Sequence, residues 1–235
     1  MRIDIFSDVV CPWCYIGKRR LEAALAEFEH ADQVEVVWRS YQLDPSAPKD
    51  AVVSTVEALG AKFPGGPEQV KQMLARTRGV AAEEGLEFGG DSFHANTVDA
   101  HRLLHLALET AGPAVQGELK EALFRTHFTE NRNVADADVL TEVAVAVGLD
   151  ADRVAQVLAG DEFADAVQAD IAQAQAYGST GVPFFVVDAK YGVSGAQPKE
   201  AFTQVLERAW SEAQPSITVL PAEDAEACGP DGCAI

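Results

Sequence analysis

The stretch Asp8-Val9-Val10-Cys11-Pro12-Trp13-Cys14-Tyr15 decides how the rest of the chain is read. Upstream, Met1-Arg2-Ile3-Asp4-Ile5-Phe6-Ser7 alternates polar and apolar side chains and runs into turn formers, the pattern of a short strand with one buried face. Downstream, Ile16, Leu21, Ala24, Leu25 and Phe28 recur at helical spacings among Lys18, Arg19, Arg20 and Glu22. Cys11 and Cys14 therefore fall where a strand ends and a helix begins. The first N–H groups of a helix are unpaired and its dipole is positive there, which favours thiolate over thiol, so Cys11 is expected to be a nucleophile at neutral pH. Pro12 costs no hydrogen bond in a first helical turn. Cys14 lies deeper, roughly one turn on and close enough to close a disulfide. The competing reading of such a pair is half of a zinc site, which needs two further ligands; a lone pair at a strand-to-helix junction reads as redox chemistry.

The chain has 235 residues, 48% of them apolar, enough to bury a real core. Its net charge of −19 repels nucleic acid and anionic lipid, so binding through phosphates is excluded as a function class. No apolar run approaches membrane-spanning length and the opening residues do not read as a leader, so a cytoplasmic protein is expected. In a reducing compartment, four cysteines in two close pairs point to redox or metal chemistry and not to structural staples.

Residues 33–43 alternate as a second strand, giving a β-α-β unit with adjacent parallel strands. From 52 to 177 the pattern is helical. Helices are expected over 67–84, 97–110, 114–129, 136–147, 151–159 and 162–177, several of them closed by glycine. Strand character resumes at Gly181-Val182-Pro183-Phe184-Phe185-Val186-Val187-Asp188. Residues 191–195 complete an antiparallel hairpin, and Gln197-Pro198 opens a last helix with Phe202, Val205, Leu206 and Trp210 on its buried face. This order predicts an α/β, thioredoxin-like fold with a large all-helical insertion between the second and third strands. The expected division is 1–50 with 178–214 as the thioredoxin-like domain, 51–177 as the insertion, and 215–235 as an acidic tail carrying the second cysteine pair.

Cys11-Pro12-Trp13-Cys14 at the first junction, the helical insertion and Thr180-Gly181-Val182-Pro183-Phe184 together resemble the DsbA-like thioredoxin-fold family. Within it, the extended run from Asp8 to Gly17, the segment Asn96-Thr97 to Ala100-His101-Arg102-Leu103 and the tail Cys228-Gly229-Pro230-Asp231-Gly232-Cys233 resemble the cytoplasmic FrnE-type branch. The resemblance implies dithiol–disulfide exchange with protein or small-molecule substrates. It makes Cys11 the exposed nucleophile, Cys14 the resolving thiol, and the Val182–Pro183 bond cis beside them, with Pro12, Trp13, Val182 and Pro183 contacting substrate. No cofactor is implied beyond glutathione or another thiol as co-substrate, together with a reductant or oxidant that recycles the protein.

Asp8 has two readings: a carboxylate facing the sulfurs and taking a proton from Cys14, or a plain turn or capping residue. Cys228 and Cys233 have three: a disulfide relaying electrons to the first pair, a disulfide pinning the tail, or half of a four-thiolate zinc site. His101 and His105, one helical turn apart, read as packing residues or a metal pair. His94 and His127 have no evident partner, and Met73 reads as core. The resemblance also extends to kappa-class glutathione transferases and hydroxychromene-carboxylate isomerases. Those relatives carry serine at the position of Cys11 and lack a resolving cysteine, so the residues here favour exchange. A redox-regulated peptide-binding or chaperone-like protein is the third reading.

Overall fold

Strand β1 (Arg2–Ser7) buries Ile3, Ile5 and Phe6 and anchors a sheet of order β2-β1-β3-β4. The computed structural model describes residues 1–49 and 53–213. Strand β2 (Glu35–Ser40) is parallel to β1, with Ile3 opposite Val36 and Ile5 opposite Trp38. The crossover between them is helix α1 (Pro12–Glu27), as a β-α-β connection requires. Strand β3 (Phe184–Val187) runs antiparallel to β1 and pairs in turn with β4 (Tyr191–Ser194).

Between β2 and β3 come α2 (Thr55–Gly60), α3 (Gly66–Glu83), α4 (Val98–Phe128), α5 (Ala137–Ala146), α6 (Ala151–Ala159) and α7 (Ala164–Ala176). Helix α8 (Lys199–Ala213) follows β4. The pattern reading missed α2, a single short helix capped by the Ser54 hydroxyl, which accepts the Glu57 N–H. It expected two helices where α4 runs, and the backbone explains both views. Gly112 takes φ 84° and ψ 179°, a conformation only glycine adopts without strain, and Pro113 opens a second arm.

Period-two alternation in β1 and β3 assigns each side chain to a layer. Ile3, Ile5, Phe185 and Val187 join Cys14, Ile16 and Leu21 of α1, Phe202 and Leu206 of α8, and Phe124 and Phe128 of α4 in one cluster. On the opposite face Phe6, Phe184 and Val186 meet Ala174 of α7. A second cluster unites both arms of α4 with α5 and α6 through Leu103, Leu119, Leu123, Leu140 and Val154, and reaches Val9 beside the cysteines. The outer edge of β2 is occupied by side chains instead of a further strand. Gln116 of α4 accepts from the Trp38 N–H at 2.9 Å and donates back to its carbonyl at 3.0 Å, and the Asp170 carboxylate accepts the Ser40 N–H at 2.8 Å. Those bonds satisfy an edge that would otherwise recruit another chain.

Candidate active site

Cys11 is the N-cap of α1, with Pro12 in the first turn. Its amide donates to the Asp8 carbonyl at 3.2 Å and its carbonyl accepts the Cys14 N–H at 3.0 Å, so the two thiols are fixed by a tight turn on one end of the helix. Both are free thiols. The Val182–Pro183 bond is cis, and the Cys11 thiol donates to the Val182 carbonyl, Sγ to O 3.6 Å. Gly17 lets α1 lie this close: a Cβ there would stand 3.2 Å from Pro183 Cγ and 3.1 Å from Phe185 Cζ. Trp13 is 41% exposed beside them.

The expectation of an exposed, acidified Cys11 is corrected here. Only 3% of its surface reaches solvent. The hydrogen bond shared with Cys14, burial, and the charges of Cys14 and Asp8 push its thiol well above the ordinary range, against a favourable Cys14 N–H. A helix end supplies about half a positive charge. Desolvation and nearby anions outweigh it.

Asp8 is not a cap. It is 1% exposed; Oδ2 accepts the Leu43 N–H at 2.7 Å, and Oδ1 lies 3.4 Å from His101 Nε2. Burial works to raise its pKa, but His101, the Leu43 N–H and the Lys120 charge together hold it below the usual carboxylate value. Burial in turn lowers His101, so at neutral pH the imidazole serves Asp8 as an N–H donor and not as a cation.

Lys120 went unnoticed in the sequence. Its side chain is fully buried, its Nζ has no hydrogen-bond partner, and it sits 4.8 Å from the Phe124 ring centroid and 5.3 Å from that of Trp38. Burial drives its pKa down to about 8, opposed by the charges of Cys14, Asp8 and Cys11. Lys120 therefore lies within the electrostatic reach of both sulfurs and of Asp8. A signal was present: Lys120 interrupts the apolar stripe of Leu119, Leu123 and Phe124. His127 also feels the Asp8 charge; it is 2% exposed, its Nδ1 is unpartnered among the described residues, and burial holds its pKa at about 4.

The other histidines go elsewhere. His105 Nε2 lies 3.1 Å from Asp170 and 3.0 Å from the Ser40 hydroxyl, and His94 lies 3.1 Å from Asp44. Thus His101 and His105 turn to different partners. Met73, expected in the core, is 41% exposed, because α3 turns Val70 and Ala81 inward instead. It borders a cavity that opens beside Pro12 and Trp13. Cys228 and Cys233 lie outside the described residues.

A family model of the DSBA-like thioredoxin domain matches residues 2–207. The chain belongs to the DSBA-like thioredoxin domain family. Its membership places it among thiol–disulfide oxidoreductases, and its fold is the thioredoxin-like fold of that family. A probable DsbA oxidoreductase from Streptomyces coelicolor superposes with a TM-score of 0.85 at 49% identity, over 100% of this chain and 99% of that one. YwbO of Bacillus subtilis (strain 168), an uncharacterized protein, is 29% identical over 212 residues, 88% of this chain and 96% of YwbO. The cytosolic disulfide reductase DsbM from Pseudomonas aeruginosa, solved with GSH, superposes with a TM-score of 0.63 at 16% identity over 90% of this chain and 100% of that one, a likeness of fold alone. Among the described residues, no helix of this family member is long and apolar enough to cross a membrane.

Proposed function

We propose that the protein exchanges disulfides through Cys11 and Cys14. The observation that carries this reading is two free thiols one helical turn apart at the start of α1, with the Cys11 sulfur against the Val182 carbonyl. In the reductive direction the Cys11 thiolate attacks one sulfur of a substrate disulfide. The S–S bond breaks, the other half leaves as a thiolate, and a mixed disulfide forms. Cys14 then gives up its proton and attacks the Cys11 sulfur. The second substrate thiol departs, a Cys11–Cys14 disulfide remains, and two electrons have passed to the substrate. An external thiol restores the dithiol. Run backwards, the same steps oxidise a dithiol.

Asp8 and Lys120 are the groups we assign to charge balance. The ionised Asp8 carboxylate attracts Lys120, and protonated Lys120 offsets the negative charge that appears on either sulfur, while the Cys14 proton passes to the substrate thiolate released in the first step. Trp13 and the Val182 backbone supply the substrate contacts, apolar and main-chain respectively. The presence of both Cys11 and Cys14 favours exchange over a transferase reaction, which needs no resolving thiol. We place the activity in the cytoplasm, with an external thiol as co-substrate.

The test is insulin-disulfide reduction with dithiothreitol as the thiol. Cys11→Ser is expected to abolish turnover, and Cys14→Ser to accumulate mixed disulfides visible by mass spectrometry. Turnover surviving in Cys11→Ser would sink the assignment.

A further inference from the structure

The cavity beside the cysteines has a volume of about 470 Å³. That is within the range of sites that enclose a small organic molecule, and roomier than one amino-acid side chain requires. The cavity's lining takes in Asp8, Val10, Pro12 and Trp13, the neighbours of the cysteines but not the cysteines themselves, whereas another hollow, of about 580 Å³ between α1, β2 and the second arm of α4, is lined by none of these.

Leu59, Phe63, Leu74, Phe93 and Phe128 give the cavity beside the cysteines apolar and aromatic walls. Burial of an apolar ring there is favourable. Several polar side chains line it as well; Asp44 and Lys62 pair with each other at 2.5 Å, and the two that are almost wholly buried are Asp8 and His127. Asp8 brings a carboxylate held ionised, so an anionic group at that end is repelled. His127 brings an almost wholly buried imidazole whose Nδ1 has no partner among the described residues. Burial keeps that ring neutral at neutral pH, so it offers one uncharged donor or acceptor according to tautomer.

We propose that this cavity selects disulfides in which one half is an uncharged aromatic thiol, its ring filling the cavity and its polar substituent bonding to His127. The inference rests on the exchange reading. Cys11 bonds to the sulfur of the seated half and the other half leaves as thiolate. Cys14 then releases the seated thiol, and an external thiol reduces the resulting Cys11–Cys14 disulfide. Anionic disulfides of the glutathione kind are the disfavoured class.

The matched probes are bis(para-aminophenyl) disulfide, which is neutral, and bis(para-carboxyphenyl) disulfide, which is anionic. Each kcat/KM is normalised to the probe's uncatalysed rate with dithiothreitol. The wild type is expected to prefer the neutral probe by about tenfold or more, the size of effect one pocket contact commands. Thr77→Trp, a half-buried position of α3 in the cavity wall, is expected to fill the space and bring the ratio near one. His127→Phe is expected to lower it severalfold. A wild-type ratio near one, or a ratio unmoved by Thr77→Trp, overturns the inference. Calorimetry with para-(methylthio)aniline on the Cys11→Ser/Cys14→Ser variant separates this from the exchange reading. Binding that Thr77→Trp removes is expected. Absence of binding overturns the cavity assignment while leaving exchange standing, and turnover of both probes by Cys11→Ser overturns exchange.

Discussion

Lys120 and Glu121 are consecutive residues of α4, and they belong to two polar networks of opposite character. Glu121 faces outward, where it bonds Lys18 at 2.6 Å, Arg19 and the Tyr15 hydroxyl, with Glu22 closing the set; all of these groups are paired. Burial works against the Glu121 carboxylate, but those partners bring it down to about 2. Lys120 faces inward to the neighbourhood of Asp8, His101, His127 and the cysteines, where its own Nζ and one nitrogen of each histidine have no partner. Both networks tie α4 to the segment that carries the thiols. The satisfied one fastens helices together. The unsatisfied one holds charge and protons in reserve, which a folded protein retains only at some cost in stability.

The comparison breaks first at Asp8. Asp8→Ala removes the acceptor of the Leu43 N–H and the counter-charge of Lys120, and urea unfolding is expected to show a loss of about 4 kcal/mol, the cost of orphaning a buried ion. A loss under about 1 kcal/mol, as for an exposed pair, would place Asp8 with the satisfied network instead.

His127 sharpens the contrast through pH. Its folded-state pKa of about 4 lies below the ordinary 6.5, so between those values the unfolded chain binds a proton that the folded chain refuses. Stability contributed by this group is therefore full above 6.5 and falls as pH drops towards 4, by about 3 kcal/mol. His127→Leu is expected to flatten that limb in unfolding titrations from pH 7 to 4; an unchanged slope would assign the acid sensitivity elsewhere.

At Lys120 the sign reverses. Burial of the Lys120 cation outweighs its attraction to Asp8, so replacing it by an apolar side chain of similar length, Lys120→Met, is expected to stabilise the protein by about 2 kcal/mol at pH 7. With a folded pKa of about 8 against 10.5, the wild type gains stability as pH rises through that window, and the variant should not. Thiolate absorbance should at the same time show the cysteine titration moved to higher pH, because an attractive charge has been lost. A destabilised variant with unchanged thiol titration would refute the reserve role. The smallest effect is expected at the satisfied network, where Glu121→Gln should cost about 1 kcal/mol and leave the thiol titration in place.

What the sequence by itself determined was local. Alternation in residues 2–7, helical spacing after Cys14, the glycines that close helices and the hairpin at 184–194 each depend on neighbours a few positions away, so β1, α1 and the succession of strands along the chain were legible, while the pairing of β1 with β3 was not. The junction that holds Cys11 and Cys14 was legible for the same reason, and so was the segment carrying Val182 and Pro183. Only the tertiary structure decided that Cys11 is buried and its thiol raised, that Asp8 supports a buried cluster, that Lys120 and His127 stand without partners, and that Met73 lines a cavity. Burial and hydrogen-bond satisfaction are set by what packs over a side chain. The Val182 carbonyl reaches Cys11 from 171 positions away and His101 reaches Asp8 from 93, separations that no local pattern records.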